Sequence, residues 1–308
     1  MNQSVLIEES PGNPFIFGRP LEKSDPFFGR HDEISWLRRS VWTEKERRPV
    51  AITGSPGIGK TSILNRLIHG TDSRKITTIV IDASQIFDLD GRDFLWRFSQ
   101  KITKGLASSG RVAPSIQKRM LVLRPMEVFS KKFWIPLAKS MSNERLLVAF
   151  DDADVLFSLS GERSSGTEIL DIMFRLYKEV ETIEFLLVLS DNLRRNSSAN
   201  DLLFDKARIL EIGNFGKQQS LDIIRQSYPR RVADIVGTYI HDLTGGHPND
   251  LQKLCHALYE RCLHLGTNHI TLADVAVTLA MDLDPSDFQM PVFKRRNIYK
   301  YRLPEERM

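Results

Sequence analysis

The sequence predicts an α/β protein: a mostly parallel sheet of about five strands covered by helices on both faces, followed by a small all-α domain. Three observations predict it. Short apolar runs alternate with amphipathic helical runs from residue 49 to residue 212, the pattern of a parallel sheet buried on both faces. A glycine-rich turn joins the first of these strands to the helix that follows it. Beyond Phe215 the alternation stops and only helical periodicity continues.

Each element has its own warrant. Residues 1–30 are rich in proline, glycine and phenylalanine (SPGNPFIFGRPLEKSDPFFGR) and read as an extended arm, because proline lacks the N–H that a helix interior needs. A helix then starts at His31, with acids in its first turn and Ile34, Leu37 and Val41 on one face. PVAIT (49–53) reads as a buried strand, and KTSILNRLIHG (60–70) as a helix closed by Gly70. ITTIVID (76–82) is a second strand, and 91–142 is mainly helical with breaks near 110–114, Pro125 and Pro136. RLLVAF (145–150), EFLLVLS (184–190) and ARILEI (207–212) complete the strands, with a helix over 167–180. Helical patterns over 217–228, 231–243, 247–266 and 271–283 make the second domain. The expected boundaries are therefore 1–30 for the arm, 31–215 for the α/β domain, 216–285 for the helical domain and 286–308 for a tail.

Composition narrows the function. The 308 residues are 41% hydrophobic and 27% charged, a globular balance that excludes disorder for the bulk of the chain. The two cysteines, Cys255 and Cys262, lie seven apart on a predicted helix. Their Cα atoms would be about 10 Å apart, too far for a disulfide. No apolar run approaches the roughly 20 residues of a membrane span, and the polar start is no signal peptide. The expectation is a cytoplasmic protein with no membrane partner. Of the net charge of +4, all is accounted for by Lys294–Met308, which holds six Lys/Arg against Glu305 and Glu306. The body is expected to be neutral, with nucleic-acid binding through the basic tail as the open possibility.

The strongest chemical signal is Gly54-Ser55-Pro56-Gly57-Ile58-Gly59-Lys60-Thr61, the phosphate-binding pattern GxxxxGK[ST] set between a buried strand and a helix. Glycines let successive backbone N–H groups turn inward onto phosphate oxygens, and the helix that follows adds its positive dipole end. Lys60 is the candidate for the β- and γ-phosphates, Thr61 for Mg²⁺, and Ser62 continues the nucleotide-binding turn. A second signal is the apolar strand that ends in Asp151 and Asp152. Asp151 is placed to hold Mg²⁺, and Asp152 to position or deprotonate the attacking water. Asp154 reads more simply as a capping residue. At the end of the fourth strand, Ser190 or Asn192 would report the γ-phosphate, or would serve as turn residues. Arg194 and Arg195 follow as candidates to stabilise transferring charge, or as solvated loop residues.

In order, Phe27-Phe28-Gly29-Arg30 before an acid-started helix with Glu33, the phosphate loop, the strand ending in paired aspartates and Gly245-Gly246-His247-Pro248 together resemble the AAA+/STAND branch of P-loop ATPases, over residues 13–283. The resemblance extends to bacterial stand-alone ATPases whose arm reads much like NPFIFGRP…FFGR. It implies ATP rather than GTP, and places Phe28, Gly29, Arg30 and Pro248 around the adenine. An aromatic ring and a proline suit a flat purine.

The expected function is a Mg-dependent ATPase acting as a switch, its output reaching a partner protein or its own assembly into a homo-oligomer. The rivals are a DNA-acting AAA+ loader or transposition regulator, a small-molecule P-loop kinase and a non-hydrolysing nucleotide-binding scaffold. No HExxH, CxxC or GxSxG pattern occurs, so zinc and serine-hydrolase chemistry have no sequence support.

Overall fold

The computed structural model describes residues 12–43, 46–70, 76–86, 90–141, 144–158, 165–191, 206–227, 231–267, 269–284 and 288. By contacts it divides into two units. One comprises Arg30–Pro56 and Lys60–Ile212. The other comprises the described residues up to Gly29, Gly57–Gly59 and those from Gly213 onward.

The first unit is built on a five-stranded, all-parallel sheet in the order β2-β3-β4-β1-β5. The strands are β1 Val50–Gly54, β2 Ile76–Asp82, β3 Arg145–Asp151, β4 Ile183–Ser190 and β5 Arg208–Glu211. All five residues of β1 are buried, as are seven of the eight in β4, which is why these runs read as continuously apolar. β4 lies between β1 and β3, in register Ala51↔Leu187 and Ala149↔Leu186. The phosphate-loop strand and the aspartate-bearing strand thus end on one carboxyl edge, with the end of β4 between them.

Helices α1 (His31–Trp42), α2 (Lys60–His69), α3 (Gly91–Ser108) and α7 (Ser165–Glu179) cover the sheet, with a short α6 (Val155–Ser158) after β3. Asp90 caps α3 by accepting from the Asp93 N–H at 2.7 Å. Phe94, Phe98, Ile102 and Leu106 of α3 are buried at a four-residue spacing. Phe98 is the hub of this core, with Phe94, Phe129, Trp134, Phe150 and Phe185 rings all within 6.4 Å of its own. Truncating such a ring costs about 3–5 kcal/mol.

One helix break expected from the sequence is absent. Pro125 starts α4 (Pro125–Phe129) as predicted, but Pro136 interrupts nothing. The run continues through a π turn at Ser130–Trp134 into α5 (Ile135–Ser140). The wider turn supplies the room that a proline ring and its missing N–H require, and it buries both Phe133 and Trp134. The indole N–H of Trp134 donates to the Leu176 carbonyl at 2.8 Å.

In the second unit α8 (Lys217–Ser227), α9 (Asp234–Thr244), α10 (Pro248–Leu265) and α11 (Leu272–Met281) follow in order. The unit is helical as expected, with one short addition: Arg231–Val232 pairs in parallel with His269–Ile270. A two-residue strand leaves too short a pattern for periodicity to register. A capping box of Thr271 and Asp274 starts α11. The segment before Gly29 is non-helical, as its prolines dictate, and it belongs to this core. Phe15 is buried beside Tyr259, and Asn13, Ile16 and Gly18 hydrogen-bond to His256, Gln252 and Asn249 of α10.

Candidate nucleotide site

β1 delivers its last residue, Gly54, to the carboxyl edge, and the chain turns there into α2. The turn needs backbone that L-residues avoid: Gly57 has φ +73° and Gly59 φ +96°. Ile58 between them is buried and anchors the crest. Lys60, the first residue of α2, folds back over its own loop. Its Nζ donates to the carbonyls of Gly54 at 2.7 Å and Ser55 at 3.0 Å. Burial pushes the Lys60 ammonium below the usual lysine range, and Asp154, Asp191, Asp152 and Asp151 pull it back up. An anion beside this ammonium would relieve that cost.

From the next residue the Thr61 hydroxyl donates to Asp151 Oδ1 at 3.3 Å. Burial, and then Asp152, raise the Asp151 carboxyl above its ordinary value, against the Thr61 hydrogen bond. A hydroxyl and a half-buried carboxylate side by side form the oxygen donor set that Mg²⁺ takes from a protein, the rest coming from phosphate and water. Among the described residues no cluster of three or more His, Cys, Asp or Glu is arranged to hold a metal without such help.

Asp152 is exposed and left-handed, with φ +50°, a conformation aspartate tolerates better than most residues. Its N–H donates to Asp151 Oδ1 at 3.2 Å. Asp154 reaches across to β4 and accepts from both the N–H and the hydroxyl of Ser190, at 2.7–2.9 Å. The Ser190 hydroxyl is therefore committed to Asp154 here. Asn192, Arg194 and Arg195 lie outside the described residues, as does the tail after Phe288.

The second unit gathers the other motif residues. The Phe28 ring packs against the helical core. Gly29 has φ +65°, and a Cβ there would lie 3.4 Å from the Phe215 ring. The Phe215 N–H in turn donates to the Gly246 carbonyl at 2.8 Å. A Cβ on Gly246, at φ +69°, would fall 2.1 Å from the Phe215 carbonyl oxygen, so no larger residue fits. Asn214 adds a bond to the Gly245 carbonyl at 3.0 Å. Phe215 thus joins the FFGR and GGHP segments. Sequence reasoning used it only as a boundary marker, and its place at the end of the alternating pattern was the available clue. Pro248 occupies the first turn of α10, where a missing N–H costs nothing. Arg30, in the first unit, is buried with φ +60° and pairs with Glu33 at 2.9 Å.

The crest Gly57–Gly59 clusters with this second unit. A Cβ on Gly57 would lie 3.1 Å from His247 Cε1 and 3.2 Å from Asn249 Cβ. His247 is buried, with Nδ1 3.4 Å from Oδ1 of the buried Asp250. His247 lies in the GGHP segment without a role of its own in the sequence reading, and Asn249 carried no sequence signal.

Residues 27–254 match the model of a family described as an ATPase domain predominantly from Archaea. This chain belongs to that ATPase family. No curated protein matches the ATPase in sequence. Its fold is similar to that of a Walker-type ATPase of Pyrococcus abyssi, at 18% identity and TM-score 0.59 over 82% of this chain and 72% of that one. It is equally similar to the ORC2 protein of Aeropyrum pernix, solved in ADPNP–ADP complexes, at 17% identity and TM-score 0.59 over 89% and 73%. A Drosophila ORC structure bound to DNA is similar at 11% identity and TM-score 0.58 over 93% and 70%. The fold is the α/β P-loop NTPase fold of these structures, and the ATPase has no helix among its described residues long and apolar enough to cross a membrane.

Proposed function

We propose that this ATPase is a Mg-dependent, ATP-hydrolysing switch of the STAND type, whose output is a partner protein or its own assembly. The observation that carries the reading is the convergence of Lys60, Thr61 and Asp151 on one sheet edge, with Thr61 hydrogen-bonded to Asp151. On this reading Gly54 to Ser62 cradle the triphosphate, and Lys60 exchanges its two loop carbonyls for β- and γ-phosphate oxygens. Thr61 and Asp151 hold Mg²⁺, which when bound neutralises charge on the β- and γ-oxygens. Asp152, exposed at the turn, orients water for in-line attack. Phe28, Gly29, Arg30 and Pro248 receive the adenine, with Phe215 holding two of their segments together. Asn192 and Arg194 are the remaining candidates near the γ-phosphate. Loss of that phosphate changes what the crest Gly57–Gly59 presents to His247 and Asn249, and so resets the switch.

The test is turnover with Mg-ATP for wild type, Lys60→Ala and Asp152→Asn, with the mass of the assembly recorded in each. Turnover abolished in both variants, with assembly or partner capture dependent on ATP, supports the reading. Undiminished turnover in Asp152→Asn overturns the assigned role of that carboxylate.

A further inference from the structure

The neutrality of the body holds only as an average. From Gly91 to Ser140 the sequence carries eleven Lys/Arg and two Asp/Glu. From Phe94 to Met126 it carries seven Lys/Arg and no acid at all. This stretch is one layer of the first unit: α3, a 3₁₀ turn at Lys118–Leu121, and α4. Most of its large apolar side chains, Phe94, Leu95, Phe98, Ile102, Leu106, Ile116 and Leu121, go into the sheet core, which leaves its cations toward the outer surface.

Two features give that surface a shape. Along α3, Arg97, Lys101 and Lys104 recur at helical spacing on the side away from the buried Phe98 and Ile102. The stripe spans about 10 Å, a length over which duplex DNA presents about six phosphates. Beside it, the half-buried Trp96 has the Arg97 guanidinium 5.2 Å and the Lys118 ammonium 5.6 Å from its ring centroid. Beyond the 3₁₀ turn, Val122 and Leu123 project into solvent at 61% and 80% exposure. Arg119 and Arg124, also exposed, flank them. Acids answer part of this field: Asp93 is shared by Arg92 and Lys118, Glu127 by Arg124 and Lys131, Arg111 pairs with Glu144, and Asp82 lies within the field of Lys101.

We infer that this layer is a nucleic-acid-binding face, with α3 tracking a phosphate backbone and the Val122–Leu123 tip acting as an apolar wedge against the bases. A dense, lysine-containing field suits a polyanion, because lysine is depleted from protein interfaces. Aliphatic side chains set between guanidiniums are what a groove-inserting wedge requires. The inference does not rest on ATP hydrolysis or on the basic tail.

The experiment is fluorescence anisotropy of a labelled 30-base-pair duplex, titrated with the full chain at 50–300 mM NaCl. Four variants are compared: Arg97→Gln/Lys101→Gln/Lys104→Gln, Val122→Ser/Leu123→Ser, Lys60→Ala and a deletion of residues 294–308. The triple variant is expected to weaken binding at least tenfold and to lower the log–log salt slope by about 2–3. The double variant should weaken binding severalfold with the salt slope unchanged, since it removes no charge. Lys60→Ala should bind as wild type. Unchanged melting temperature in the first two variants separates a lost surface from a lost fold. No binding at 50 mM NaCl, a triple variant that binds like wild type, loss of all binding with the tail deletion, or capture of polyglutamate in place of DNA would each overturn the inference.

Discussion

Asp152 holds its place at φ +50° without help from a glycine, and asparagine tolerates the same conformation. Asp152→Asn therefore removes a charge and leaves the turn intact. Turnover should fall by 10²-fold or more, while nucleotide affinity stays within about threefold of wild type. Parallel kinetic and binding titrations check this. At Gly246 the balance is reversed. Alanine there must accept both φ +69° and a clash with the Phe215 carbonyl, so Gly246→Ala should lose about 2 kcal/mol or more in urea unfolding. The phosphate loop and paired aspartates were legible as residues because their chemistry forces a fixed spacing. Phe215 and Asn249 were not, and His247 was legible only as a member of the GGHP segment, because the contacts of all three are with tertiary neighbours that no local pattern encodes. Asp154 reads from the sequence as a cap of the following turn, and in the structure it bonds Ser190 at the end of β4.

At the scale of elements, β1, β3 and β4 were legible because burial on both faces makes each of them a nearly continuous apolar run, whereas the edge strands β2 and β5 are only partly buried. Polar exceptions inside such runs are then informative. Glu184, near the start of β4, is buried. It accepts from Arg47 Nε at 3.0 Å and from the Tyr177 hydroxyl at 2.8 Å, with the Arg47 guanidinium stacked 3.8 Å from the Tyr177 ring centroid. Burial raises the Glu184 carboxyl above its ordinary value, outweighing Arg47 and Tyr177. A raised acid stabilises the fold below its unfolded value and loses that contribution as pH rises through the folded one. The melting temperature of wild type relative to Glu184→Gln should therefore decline from pH 4 toward pH 8. A relative stability that rises over the same interval would mean that the Arg47 ion pair dominates. The same layer logic explains why Pro136 misled: a proline signals a break in an α-helix, and only the packing of Phe133 and Trp134 calls for the π turn that absorbs it.

On the scale of the whole molecule, the phosphate loop belongs to two units at once. Its crest Gly57–Gly59 counts with the C-terminal helices, while Gly54–Pro56 and Lys60 onward count with the sheet. On the proposed reading, a ligand that orders the whole loop touches residues counted with each unit. At a hundredfold excess over its dissociation constant the ligand contributes about 2.7 kcal/mol, enough to register in native-state hydrogen exchange. Adding a non-hydrolysable ATP analogue with Mg²⁺ should slow exchange in the first turn of α10, where His247, Pro248 and Asn249 lie. It should slow exchange by a comparable factor at the end of β3, at Phe150 and Asp151. Lys60→Ala should abolish both effects together, because it removes the ligand from the loop. Protection confined to β3 would mean that the crest does not respond to phosphate. The switch proposed for this ATPase would then lose its physical basis, although binding and hydrolysis at the sheet edge would stand.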